Sequence, residues 1–165
     1  MTLLTHEIKS WIGREVVYEA PDEVGRASIR YFALAIGDDN PLYFDDDYAR
    51  ENGYDGVIAP PTLVCETNQF IGAGPGLSED GYLGHTWDLP ITGCRLIRGG
   101  NEYEFFRPLR PNDRVTVRWS LTDITERTAS SGVAMLVVLS EATYADADGE
   151  PIAINRETII YQAVK

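Results

Sequence analysis

An α+β domain is the fold class the sequence predicts, with an antiparallel sheet following a group of helices and one helix held inside the sheet's curl. Two observations lead there. Helical periodicity and helix stops dominate residues 28–71, whereas from Cys94 onward period-two alternation and turn clusters take over. The size agrees, because 165 residues with 44% apolar side chains suit one core, so a single domain over residues 1–165 is expected.

The first helix is read from Ser28 to Ile36. Ile29, Phe32, Ala33 and Ile36 recur at i, i+3, i+4 and i+7, and Asp38-Asp39-Asn40-Pro41 ends the run. A second, Asp46 to Glu51, is stopped by Asn52-Gly53. The third opens with proline in its first turn and runs from Pro61 to about Ile71. Leu63, Val64, Thr67, Phe70 and Ile71 share one face there, Cys65, Asn68 and Gln69 lie on the other, and Glu66 sits at the boundary. This is the helix expected inside the sheet. Residues 72–93 then hold Gly74, Pro75, Gly76, Gly81, Gly84 and Pro90, and read either as a lid or as a packed surface excursion. Gly72-Ala73-Gly74-Pro75-Gly76 is no phosphate loop, since no Lys-Ser/Thr follows it.

Strands begin after Cys94. Tyr103 and Phe105 alternate with Glu102, Glu104 and Phe106, and residues 108–112 form a turn. Val115, Val117, Trp119 and Leu121 alternate with Arg114, Thr116, Arg118 and Ser120, giving one buried and one wet face. Val133 to Leu139 is apolar at every position, which predicts a strand covered on both sides, by the central helix and a subunit interface. After the turn at Asp146-Ala147-Asp148-Gly149, Ile152 to Ala163 supplies the last strand.

Composition excludes several functions. A net charge of −12 lacks the basic face that nucleic-acid phosphates need. No apolar run approaches the roughly 18 residues of a membrane span and no signal-peptide core precedes Lys9 and Trp11, so a soluble, cytoplasmic chain is expected. Cys65 and Cys94 are expected as buried reduced thiols, and His6 and His85 stand apart from any cysteine or histidine cluster, so no metal is expected. The charge is lopsided: residues 1–90 hold 5 basic and 16 acidic residues, and residues 91–165 hold 9 and 10. Seven arginines fall between Arg95 and Arg127. They read as the solvated face of strands, except that Arg107 and Arg110 flank a turn and suit an anionic substrate tail.

Gly37-Asp38-Asp39-Asn40-Pro41-Leu42-Tyr43-Phe44-Asp45, with Gly53-Tyr54-Asp55-Gly56-Val57-Ile58-Ala59-Pro60-Pro61-Thr62 after it, carries the most specific pattern. Together with the helix before it, this stretch resembles the MaoC-like hydratases and dehydratases of the hot-dog superfamily. Those enzymes read Gly-Asp-x-Asn-Pro-(Leu/Ile)-His-x-Asp, and Tyr43 stands where their histidine stands. The resemblance runs from about Val24 to Gln162, nearly the whole chain. It implies a hot-dog fold and a chemistry that adds water to, or removes it from, an enoyl or 3-hydroxyacyl thioester, with Asp and His as paired acid and base. Coenzyme A or acyl carrier protein would enter as part of the substrate, with no separate cofactor.

Only Asp38 of the pair is present. A tyrosine titrates near pH 10 and is a poor base at neutrality, whereas histidine suits the task. The chain is therefore most similar to the degenerate MaoC-type halves that pair with a catalytic hot-dog subunit in heteromeric dehydratases and steroid-enoyl-CoA hydratases. Asp38 and Asn40 read either as an Asx turn ending the helix or as site residues, and Tyr43 as a channel wall or a core residue. Pro60-Pro61 fall where active members often carry His-Gly, and with Thr62, Asn40, Arg107 and Arg110 they are the substrate-binding candidates. Two other functions remain open: a hot-dog thioesterase using Glu66 with Asn68 or Gln69, and a binding module that holds an acyl ligand without turnover.

Overall fold

The structure, a computed structural model, describes residues 2–65 and 85–164. Its sheet has five strands: β1 (Glu15–Glu19), β2 (Cys94–Phe105), β3 (Thr116–Thr128), β4 (Ala134–Ala145) and β5 (Pro151–Ala163). Their order across the sheet is β1-β3-β4-β5-β2, with every neighbouring pair antiparallel. The helices α1 (His6–Lys9), α2 (Arg26–Ile36) and α3 (Asp46–Glu51) precede β2–β5 as the sequence predicts, but β1 lies between α1 and α2, an edge strand that the sequence reading did not foresee. The curled antiparallel sheet is that of the hot-dog fold.

β3 shows how the pattern becomes a core. Val117, Trp119 and Leu121 are sealed from solvent, and the register then shifts between Leu121 and Asp123. Thr122 is the extra residue, so the buried phase moves from odd to even positions and Ile124 takes up the core face. A second shift lies in β2, between Arg98 and Gly100. There a Cβ on Gly99 would stand 2.9 Å from a Thr158 methyl and 3.0 Å from its carbonyl oxygen, so only glycine lets the two strands approach. Such bulges strengthen the local twist and help the sheet to curl.

β4 has two unlike faces. Leu136, Val138, Ser140, Ala142 and Tyr144 are buried, but Met135 and Val137 on the other face are only half-buried and Leu139 is 37% exposed. One face packs on the core, and the other, partly exposed in the single chain, is the face that the continuous apolar run assigns to a subunit interface. The first helix starts two residues earlier than the periodicity suggests. Ile29 and Ala33 are buried, but Ile36, in the last turn beside Gly37, is 49% exposed. α1 and β1 carry too little periodicity to be read from sequence.

The expected central helix lies partly outside the described residues. Leu63–Cys65 are helical, with Leu63 and Val64 in the core, whereas residues 66–71, including Glu66, Asn68 and Gln69, fall outside. The same holds for residues 72–84 of the expected lid; beyond them His85, Trp87 and Leu89 are packed inward. Trp87 Nε1 donates to Ser140 Oγ at 2.8 Å. Cys65 and Cys94 are not joined in a disulfide and are of intermediate exposure, less buried than expected. Among the described residues no helix is long and apolar enough to cross a membrane.

The two faces of β4 give a direct test. Leu136→Ala removes a fully buried side chain and is expected to cost about 3 kcal/mol, whereas Leu139→Ala in the isolated chain should change stability by less than about 0.5 kcal/mol. Urea denaturation of the two variants checks both values.

Candidate functional site

Backbone punctuation builds the loop that carries Asp38 and Tyr43. Gly37 ends α2 in the left-handed region at φ 71°, where a side chain would be strained. The Asp38 amide donates to Ala33 O at 2.9 Å, completing the helix end. Two Asx turns follow, in which Asp38 Oδ1 accepts from the Asn40 amide at 3.2 Å and Asn40 Oδ1 from the Leu42 amide at 3.1 Å. Pro41–Tyr43 then form one turn of 3₁₀ helix with proline at its start. Asp45 caps α3 by accepting from the Asp47 and Tyr48 amides.

Long-range bonds hold this loop against the next segment. Asp46 Oδ1 accepts from Arg26 Nη1 and from the Val57 amide, each at 2.9 Å, tying α2, α3 and residue 57 together. The Ile58 amide donates to Leu42 O at 3.1 Å, and the Ala59 amide to Leu109 O at 2.9 Å. An apolar groove of about 410 Å³ lies along this seam. Leu42, Ile58, Val64, Leu109 and Ile152 contribute to its walls, while Tyr43, Tyr54 and Arg107 bring most of its polar atoms. Phe105 and Phe106, 45% and 48% exposed, border it as well.

Tyr43 is the pivot of the site. Its side chain is buried, and burial is the first cause that raises its pKa, with the neighbouring Asp38 carboxylate adding to the rise and Asn40 opposing it. The residue is thus a neutral phenol at physiological pH, able to donate a hydrogen bond and unable to take up a proton as a base. Asp38 and Asn40 are half-buried beside it. Among the proline candidates, Pro61 lines the groove, Pro60 is part of the buried core, and Thr62 is exposed.

The two arginines differ from a free phosphate clamp. Arg107 offers its fork to Asp113, at 2.7 and 2.9 Å, and its Nη2 also donates to Asp146 at 2.6 Å. All three side chains are largely buried, so this guanidinium is committed to the protein's own carboxylates. Arg110 is half-exposed and stands 3.9 Å from Asp55, apart from the residues that line the groove, in a cleft that also carries Asp46, Asp113, Asp146 and Asp148. Tyr54, Leu109 and the Phe105-Phe106 pair are site residues that sequence reasoning missed. Only the uncommon exposure of two successive phenylalanines could have flagged them.

His85 is buried among Tyr18, Trp87 and Trp119, and its Nδ1 shares a 2.8 Å hydrogen bond with the Tyr18 hydroxyl. Burial pulls its pKa down to about 4, against the opposing pull of Asp88, so the ring is neutral at pH 7. Among the described residues no three His, Cys, Asp or Glu side chains converge as metal ligands would.

The fold and this loop define a MaoC-like hot-dog domain. A family model described as "FAS1-like, dehydratase domain region" matches residues 10–155, and the chain belongs to that family. It is 37% identical over 133 residues to a UPF0336 protein of Thermobifida fusca, a match covering 81% of this chain and 80% of that one. Among solved structures it is similar to a chain of the ChsH1-ChsH2 complex of Mycobacterium tuberculosis, with a TM-score of 0.73 at 21% identity over 96% of this chain and 92% of that one. It is also similar to a chain of the C-terminally truncated HadBC (3R-hydroxyacyl-ACP dehydratase) complex of the same organism, with a TM-score of 0.60 at 22% identity over 89% and 96%. At these identities the structural likeness speaks for the fold.

Two outcomes follow. Tyr43 should titrate above its ordinary value of 10, so the phenolate absorbance difference between the protein and Tyr43→Phe should be less than half developed at pH 10. Arg107→Ala should lower stability by about 2 kcal/mol, less than for a fully buried pair because the three side chains keep some water contact. Burial raises the Asp146 pKa, but the Glu150 amide, Arg107 and the Asp148 amide outweigh it and hold the pKa below 3.8. That stabilisation is complete above 3.8 and is lost as pH falls through the lowered value, so the variant's urea midpoint should depend less on pH in that range.

Proposed function

We propose that this chain is the structural and substrate-binding subunit of a heteromeric enoyl-thioester hydratase or 3-hydroxyacyl-thioester dehydratase, with the Asp and His supplied by a partner hot-dog chain. The observation that carries the reading is Tyr43: a buried, neutral phenol at the position of the family's base, facing an apolar groove. A volume of about 410 Å³ falls within the range of small-molecule sites, and the walls suit an acyl chain. Two of the similar structures are complexes named for two different chains, which supports a partnered assembly. The uncovered faces of β4 and α2 offer it surface.

Hydration of an enoyl thioester needs a base to take a proton from water as its oxygen attacks the β-carbon, a donor for the developing enolate oxygen, and an acid to protonate the α-carbon. In this assignment the partner's pair handles the protons. The groove beside Tyr43 holds the acyl group and keeps water from it, and Asp38 and Asn40 fix the loop that forms its wall. The substrate is a bulky acyl or steroid side-chain thioester on coenzyme A or acyl carrier protein, with no further cofactor, and the place of work is the cytoplasm.

The test is to isolate the tagged chain from its own cell, identify any stoichiometric companion, and assay trans-2-octenoyl-CoA hydration by the complex. A companion hot-dog chain with an intact Asp and His is expected. In the complex Tyr43→Phe should keep kcat within about threefold, and Pro61→Trp, which narrows the groove from an exposed position, should raise KM about tenfold with little change in kcat. A loss of orders of magnitude in Tyr43→Phe, or full activity of the chain alone, overturns the assignment.

A further inference from the structure

Residues 1–90 are strongly acidic and hold five basic side chains, Lys9, Arg14, Arg26, Arg30 and Arg50. Two of them, Arg26 and Arg30, stand one turn apart at the start of α2 and border a cleft of about 490 Å³ with no acidic side chain among its described wall residues. Across from them lie Tyr43, Phe44 and Val57. Tyr43 is therefore a shared wall, with the apolar groove on one side and this cationic cleft on the other.

The neighbouring arginines lack that advantage. The cleft of Arg107 and Arg110, which Arg26 borders from its other side, carries five aspartates, three of them paired with Arg107 or Arg110, and an anion entering it meets their repulsion; Arg30 borders only the cleft beside Tyr43. Arg26 spends one nitrogen on Asp46, and Arg30 is exposed and makes no ion pair among the described residues. Apolar groove, phenol and paired guanidiniums follow one another in the order of an acyl tail, its thioester and the phosphate of the arm that carries it.

We propose that Arg26 and Arg30 bind the phosphate of the 4′-phosphopantetheine arm bearing the acyl thioester, the group that coenzyme A and acyl carrier protein share. This rests on the acyl-thioester reading above. Arginine suits the role because its planar fork meets two phosphate oxygens at once.

Calorimetric titration of the full chain with octanoyl-CoA, octanoyl-4′-phosphopantetheine and octanoyl-pantetheine tests it. Arg30→Gln should weaken the two phosphorylated ligands about tenfold and leave octanoyl-pantetheine unchanged, with Arg30→Lys recovering part of the loss. The melting temperature should not move, since Arg30 is exposed and makes no ion pair among the described residues. Equal loss for octanoyl-pantetheine, no loss for the phosphorylated pair, or loss for octanoyl-CoA alone overturns the phosphate site. Octanoyl-loaded carrier protein showing the same Arg30 dependence supports it, and the tighter of the two carriers identifies the source. If octanoyl-pantetheine fails to bind, or binds equally to Pro61→Trp, the groove reading falls and this site with it; normal octanoyl-pantetheine binding with Arg30 irrelevant removes only the phosphate site.

Discussion

Arg107 is the constraint on which the site end of this molecule depends. Its bidentate bond to Asp113 and its further bond to Asp146 join the exit of β2, the approach to β3 and the turn between β4 and β5. Each carboxylate is used again: Asp113 Oδ2 accepts from the Arg110 amide at 2.7 Å, and Asp146 Oδ1 from the Asp148 and Glu150 amides. The Val24 amide, just before α2, bonds the Asp113 carbonyl at 2.9 Å. One guanidinium thus sets the relative position of three chain segments and the entry to the helix that carries the site loop. Taking these charges from water is costly, and only the saturation of their hydrogen bonds offsets that cost.

The groove inherits its shape from this node. Residues 105–109 leave β2 and pass Arg107, and Leu109 O then receives the Ala59 amide, which draws the Ile58-Ala59-Pro60 segment against the sheet. Pro60 is buried for that reason, and Pro61, one residue on, faces the groove. A residue chosen for its charge pattern turns out to be a framework element, and the binding surface forms around it from apolar side chains with little individual signature.

The shape of the loop is independent of the side chain at position 43. Its path is set by Gly37, by the side chains of Asp38 and Asn40 bonding to backbone amides, and by Pro41. None of those bonds needs the side chain at position 43. Histidine can therefore give way to tyrosine without unmaking the turn, and burial then keeps the phenol protonated. Structure and proton transfer are separable here because the backbone hydrogen bonds and the reacting group reside on different residues.

Local rules sufficed for the class of fold. The helical stripe of Ile29 and Ala33, the turn at Asp38 to Pro41 and the alternation of Val117, Trp119 and Leu121 follow from neighbours in sequence, since helix and strand periods and turn chemistry are short-range properties. The family pattern likewise lies in one continuous loop. Short range also marks where reading stops. Whether the apolar run of β4 has a cover on both faces, which carboxylate captures Arg107, and which arginines are left for an anion depend on contacts between segments far apart in the chain. The sequence by itself determined the hot-dog class and the Asx-turn loop around Asp38 and Asn40. Only the tertiary structure decided that Arg107 is a tie and that Tyr43 divides an apolar groove from a cationic cleft, because both depend on which surfaces the folded chain brings face to face.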